Sequence, residues 1–263
     1  MKKLVVLSIL FITLSAHELF LKTDSHFIEP DSNVELFLFN GTFDQGESII
    51  TRDRIIDPKI LGPGFRFIPD SADYYDVETV TYLSFKTGNP GTYVGGISTQ
   101  PRVIELSSAD FLAYLEHEGL EDVIDERKRK GIADQPAREK YSKHVKTLLQ
   151  VGKTLSGDYA EPMDYPIEFI PLKNPYELSV GDLLPFQLLF QGRPLKNQVV
   201  HYSFRNQGDN TTERSTRTDK NGKLRIKLKE SGKWYIATIH MAESPKEGLD
   251  YESNWATLTF EVK

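Results

Sequence analysis

The chain predicts a mostly β protein, with two β-sandwich domains of immunoglobulin-like or transthyretin-like type and an inserted helical segment between them. Two observations carry that class. Short runs rich in Val, Ile, Phe, Tyr and Thr, bounded by Gly, Pro, Asn and Asp, recur over residues 18–105 and return from 164 to the end. Between them the spacing of apolar residues lengthens to that of helices. With 263 residues there is material for two ordinary cores, and with no cysteine neither can lean on a disulfide.

Residues 1–16 read as a secretory signal. Lys2 and Lys3 form its basic end, residues 4–14 an apolar run too short to span a bilayer, and Ser15 and Ala16 a small-residue cleavage point. The expected mature chain therefore begins at His17. With no later apolar stretch of spanning length, it is expected to be soluble, in the periplasm or secreted.

The first β domain is assigned to 17–106. Its clearest strands are 34–39, the period-two run 79–85, and 91–98 after the turn Gly88-Asn89-Pro90-Gly91. Residues 107–151 form the helical segment. Ser107 or Ser108 caps a helix carrying Phe111, Leu112 and Leu115, and a charged helix follows over 121–130. Pro136 opens a third helix to about Val151, with Tyr141, Val145, Leu148 and Leu149 on one side and the mixed charges on a solvated face. The C-terminal sandwich occupies 164–263, with strands at 184–190, 199–204, 224–228, 232–240 and 255–262. Asp219-Lys220-Asn221-Gly222 supplies its hairpin turn.

Composition removes several function classes. A net charge of -6 without a basic stretch excludes an electrostatic nucleic-acid binder and suits a protein that meets cations. Absent cysteine removes thiolate metal sites and cysteine nucleophiles. No Gly-x-Ser-x-Gly elbow, His-Glu-x-x-His or glycine-rich phosphate loop occurs, so the chain is not expected to be an enzyme.

Of the six histidines, His17 stands apart because processing exposes its α-amine. That amine titrates near ~8, so a metal displaces its proton easily, and amine and ring close a chelate on one ion. Nitrogen donors suit Ni, Co, Cu and Zn. A third donor is expected from His240 at the end of its strand, with Glu18, Glu243, Asp250 and Glu252 as acidic options. His117 and His144, in the helical segment, read as ordinary surface or partly buried residues, and His26 and His201 stay open. A second reading is a non-catalytic module that recognises a glycan or protein partner through Tyr74, Tyr75 and Tyr165.

The start Ala16-His17-Glu18-Leu19-Phe20-Leu21 resembles that of the domain-of-unknown-function 4198 family. The resemblance continues through 91–102, 111–120, 137–143, 171–176 and 250–260, nearly the whole mature chain. It implies an exported protein that binds a Ni- or Co-type divalent ion and hands it to a membrane transporter component. On this resemblance the carried-over ligands are His17 and His240. Relatives carry a histidine near the position where this chain has Asn40-Gly41.

Overall fold

The computed structural model describes residues 18–206 and 213–263. The N-terminal part holds β1 (Glu18–Lys22), β2 (Phe27–Ile28), β3 (Asn33–Gly41), whose burial alternates with period two, β4 (Gly46–Ser48) and β5 (Ile55–Gly62). They continue as β6 (Phe65–Phe67), β7 (Tyr74–Val77), β8 (Val80–Lys86), β9 (Gly91–Thr99) and β10 (Arg102–Leu106). Two helices follow, α1 (Ser108–His117) and α2 (Glu121–Lys130). The remaining strands are β11 (Ala137–Val151), β12 (Ile167–Pro171), β13 (Leu183–Phe190), β14 (Arg193–Pro194) and β15 (Val199–Arg205). Last come β16 (Arg214–Arg217), β17 (Lys223–Lys227), β18 (Gly232–Glu243) and β19 (Tyr251–Val262).

The fold is mostly β, as the sequence predicts. One long sheet runs β16-β15-β18-β19-β11-β9-β5-β6, with β10 and β2 also on β11. Two smaller sheets cover it. The sheet β1-β3-β8-β7, with β4 on β3, closes the first core, in which Leu19, Leu21, Leu36 and Leu38 meet Ile60, Tyr93, Val145 and Leu149. The sheet β12-β13-β14, with β17 on β13, closes the second, where Phe169, Phe186 and Leu188 meet Trp234, Ile236, Leu258 and Phe260. A third core lies under the helices, between Phe111, Leu115, Val123 and the residues Ile239, Met241, Tyr251 and Trp255.

Both helices follow their end signals. Ser107 caps α1 by accepting from the Asp110 backbone N–H at 3.2 Å. In α2 the acids Glu121 and Asp122 fill the first turn and Arg127 to Lys130 the last, complementing the helix dipole, and Gly131 ends it at φ +67°. Among the described residues no helix is long and apolar enough to cross a membrane.

The third expected helix is corrected: residues 137–151 form strand β11. Tyr141, Val145, Leu148 and Leu149 fit a helical face, but Val145, Leu149 and Val151 also keep the period of two. Both faces of β11 are buried, Val145, Leu149 and Val151 in the first core and Leu148 in the second, so the strand shows no polar side from which its period is legible. Its charges are not a solvated face either: Glu139, Lys143 and Lys146 are all buried. Lys146 Nζ bonds Glu168 Oε2 at 2.8 Å and the Phe169 carbonyl at 3.0 Å. Because β11 pairs antiparallel with β9 and parallel with β19, a single sheet joins the segments assigned to 17–106 and 164–263.

Candidate metal centre

Strand β1 carries the chain's first described residues, and its alternation decides where they go. Leu19 and Leu21 turn into the first core. Phe20 turns the other way, into a cluster with Phe43, Tyr235 and Ala237. The β1 backbone is held down on the long sheet, where Thr257 Oγ1 donates to the Leu19 carbonyl at 2.7 Å and Thr259 Oγ1 to that of Leu21 at 2.5 Å. Glu18, two residues before Phe20, therefore lies on the side that faces β18 and β15. In β15, His201 stands directly opposite Ala237, on that same face.

There β1 meets a group of charged side chains from three other places. His117 and Glu118 end α1, and Gly119, at φ +65°, turns the chain over Val199 of β15. Glu213 immediately precedes β16. His117 Nδ1 lies 2.9 Å from Glu118 Oε1, and His201 Nδ1 lies 3.2 Å from Glu213 Oε1. Tyr235 donates its hydroxyl to Glu213 Oε2 at 2.7 Å, and His201 Nε2 is 3.3 Å from the Glu118 carbonyl. His117 and His201 line one polar pocket of about 400 Å³ with Glu116, Glu121, Ser215 and Arg217.

The electrostatics follow from crowding charges of both signs at a partly buried place. Burial, reinforced by the Glu118 and Glu213 carboxylates, pushes the Glu18 carboxyl up to about 8. Burial works against the His201 imidazolium, but the bond to Glu213 and the charge of Glu118 outweigh it and raise the ring to about 9. Glu118 likewise holds His117 above its ordinary value. Burial raises Glu213, yet its bonds from His201 and Tyr235 win and bring it below the usual carboxylate range. On the far side of Glu18, burial takes the Lys143 ammonium down to about 7. Three carboxyl groups, that of Glu18 held protonated near neutral pH, thus face two imidazoles and one weakened ammonium. Nitrogen and oxygen donors of this kind match borderline divalent ions. Among the described residues alone, no three His, Cys, Asp or Glu side chains group tightly enough to hold such an ion.

His17 lies outside the described residues. His240 lies elsewhere. Tyr235 and Ala237 turn toward β1, so His240, out of phase with them, turns to the opposite face of the long sheet. There its ring packs on Phe190 at 4.3 Å, Nδ1 lies 3.2 Å from Gln198 Oε1, and burial lowers its pKa. Glu243, Asp250 and Glu252 gather around the β18–β19 turn. Glu243 pairs with Lys130, Glu252 with Lys140 and Lys246, and Asp250 Oδ2 accepts from the Arg138 backbone N–H. Gly41 sits opposite Glu18 and Asn40 opposite Leu19 in the β1–β3 pair, and Asn40 Oδ1 accepts from Lys143 Nζ at 3.0 Å.

The other histidines and the tyrosines fall as follows. His144 is buried on β11, not in a helix, with Nδ1 at 2.8 Å from Ser98 Oγ. His26 is fully buried beside Glu261. Of the tyrosines expected at the surface, Tyr74 and Tyr165 are buried and Tyr165 donates to the Asp57 carbonyl. Only Tyr75 is exposed, and it stacks on Tyr82 at 4.9 Å. Sequence reasoning passed over His117, Glu118 and Glu213 because they come from separate elements. The one local signal was His201, a polar ring inside an apolar run.

A mostly β protein whose first strand runs into a His/Glu cluster is the class that fold and site define. The chain belongs to the family described as domain of unknown function (DUF4198), whose profile matches residues 14–242. No curated protein matches it. Among solved structures it is similar to the D0-D1 domain of Intimin, at 10% identity and TM-score 0.21, over 92% of this chain and 97% of that one. It is also similar to the human OSCAR ligand-binding domain, at 10% identity and TM-score 0.22, over 94% and 99%. Likenesses this loose carry nothing about what the chain does.

Proposed function

We propose that the protein is exported, begins at His17 once its signal is removed, and captures a divalent transition metal of the Ni or Co type there. Its role is delivery of that ion to a membrane uptake system. The observation that carries this reading is the destination of β1: the residue that follows His17 stands among His201, Glu118 and Glu213. An amine and an imidazole on one residue form a chelate, and the nearby side chains of Glu118 and Glu213 offer oxygen atoms suited to a cation. The family match is compatible with this role and does not specify it.

The test compares two chains by equilibrium dialysis against NiCl2, one starting at His17 and one with a single residue added before it. The added peptide bond takes the α-amine away from His17. Binding that vanishes on extension is the expected result, and equal affinity for both chains sinks the reading.

A further inference from the structure

The outer face of the sheet β1-β3-β8-β7 carries a chemistry of its own. Residues that stand opposite each other in β3 and β8 share a face. Val34 with Phe85 and Leu36 with Leu83 point into the first core, so Asn33 with Lys86, Glu35 with Ser84 and Phe37 with Tyr82 point out. The outer face therefore holds two polar rows followed by an aromatic one. Beside the polar rows β1 leaves β3, since their pairing ends at Lys22 and Phe37. The opening there is a pocket of about 700 Å³, whose lining includes Asp24, Asn33, Glu35, Phe37, Ser84 and Lys86. That volume is in the range of small-ligand sites.

We propose that this pocket binds a short neutral saccharide, independently of any metal. The half-buried Phe37 ring offers an apolar surface to the C–H side of a sugar. Around it the polar side chains cover both roles that hydroxyl groups need: Lys86 donates, Asp24 and Glu35 accept, and Asn33 and Ser84 do both. Among the described residues, Asp24, Asn33, Ser84 and Lys86 make no side-chain hydrogen bond, so all four are open to a ligand. Glu35 and Phe37 are held from behind. Tyr75 donates its hydroxyl to Glu35 Oε1 and stacks on Tyr82 at 4.9 Å, and Tyr82 meets the Phe37 ring edge-on at 5.0 Å. This frame sets the carboxylate beside the ring before a ligand arrives, which lowers the ordering cost of binding. The lining carries two carboxylates and one ammonium, so it has no excess of positive charge for a phosphate or an acidic sugar. Lys22 adds none, because its Nζ bonds the Phe43 carbonyl and lies over the rings of Phe39 and Phe43.

Saturation-transfer NMR titrations of the metal-free protein with maltotriose, cellotriose and triacetylchitotriose test this. At least one of these sugars takes up saturation at its ring C–H protons. Asn33→Ala, which breaks no side-chain hydrogen bond of the fold, weakens that binding by about 3- to 10-fold. Phe37→Leu keeps an apolar side chain without the aromatic surface and weakens it by about 10-fold or more. Melting of each variant reports folding, and should Phe37→Leu fail to fold, Asn33→Ala and the parent decide alone. No transfer to any of the sugars overturns the proposal, as does a sugar whose affinity the folded variants leave unchanged. A short Val/Thr peptide that binds in place of the sugars assigns the opening to strand pairing along β3, and that too overturns it. None of these outcomes bears on nickel capture at His17, which the dialysis comparison tests separately.

Discussion

Replacing Lys146 with Met tests whether β11 is the spine that joins the two sandwiches. Lys146 and Glu168 keep 1% and 3% of their side-chain surface in water, and their ion pair of 2.8 Å ties β11 to the sheet that covers the second core. Lys146→Met preserves most of the volume but leaves the Glu168 carboxylate uncompensated. The Phe169 carbonyl also loses a donor. Breaking a buried pair from one side costs about 3–5 kcal/mol. For a chain of this size each kcal/mol is worth roughly 2–4 °C, so melting should fall by about 6–20 °C. The double variant Lys146→Met with Glu168→Gln removes the stranded charge while keeping an acceptor for the Met163 backbone N–H, which now sits 2.9 Å from Glu168 Oε2. It should recover most of the loss. Circular dichroism melts of the three chains decide the matter. A single variant that melts with the parent refutes the placement of Lys146 in the core.

Three further outcomes follow from the same structure. Burial holds the His144 ring at about 4 against an ordinary 6.5, so the unfolded chain takes up a proton that the folded chain refuses. Stability present at pH 7 is lost as pH falls from about 6.5 to about 4, and His144→Gln flattens that slope in urea titrations. For Glu18 the sign reverses. Its carboxyl, raised from 4.5 to about 8, keeps its proton in the fold, so stability falls as pH rises through that window, and Glu18→Gln removes the loss in melts between pH 5 and 8. Gly222 holds φ +71° in the turn before β17, where a Cβ would stand 2.8 Å from the Leu195 nitrogen and 2.9 Å from the Leu188 carbonyl. Gly222→Ala should cost roughly 1–3 kcal/mol in denaturant titration, and a neutral result contradicts the turn geometry.

The legible parts of this fold are those with one wet face. The run 34–39 became the centre of β3 because Glu35 stays outside while Val34, Leu36 and Leu38 go in. The Ser107 cap and the Gly131 stop placed α1 and α2. Strand β11 was misread since a segment buried on both sides has no period that separates helix from strand. Its charged residues also hid the burial, because a sequence does not show that Lys146 has Glu168 waiting for it. Sheet partners were equally silent: periodicity tells which face of β11 is apolar, not that β19 lies parallel beside it. The same limit governs the site. His17 and Glu18 stood out because processing makes a terminus of them, whereas His117 and His201 share a pocket only after α1 and β15 have packed. His240, chosen for its place at a strand end, was separated from Glu18 by strand parity alone.

Everything proposed for the ion begins with a free amine on His17, so the most direct measurement is the intact mass of the protein recovered from outside the cytoplasm. The mass of residues 17–263, with the bond between Ala16 and His17 cut, is the predicted result. A mass that corresponds to any other first residue contradicts the account, whatever metal the purified chain is found to carry.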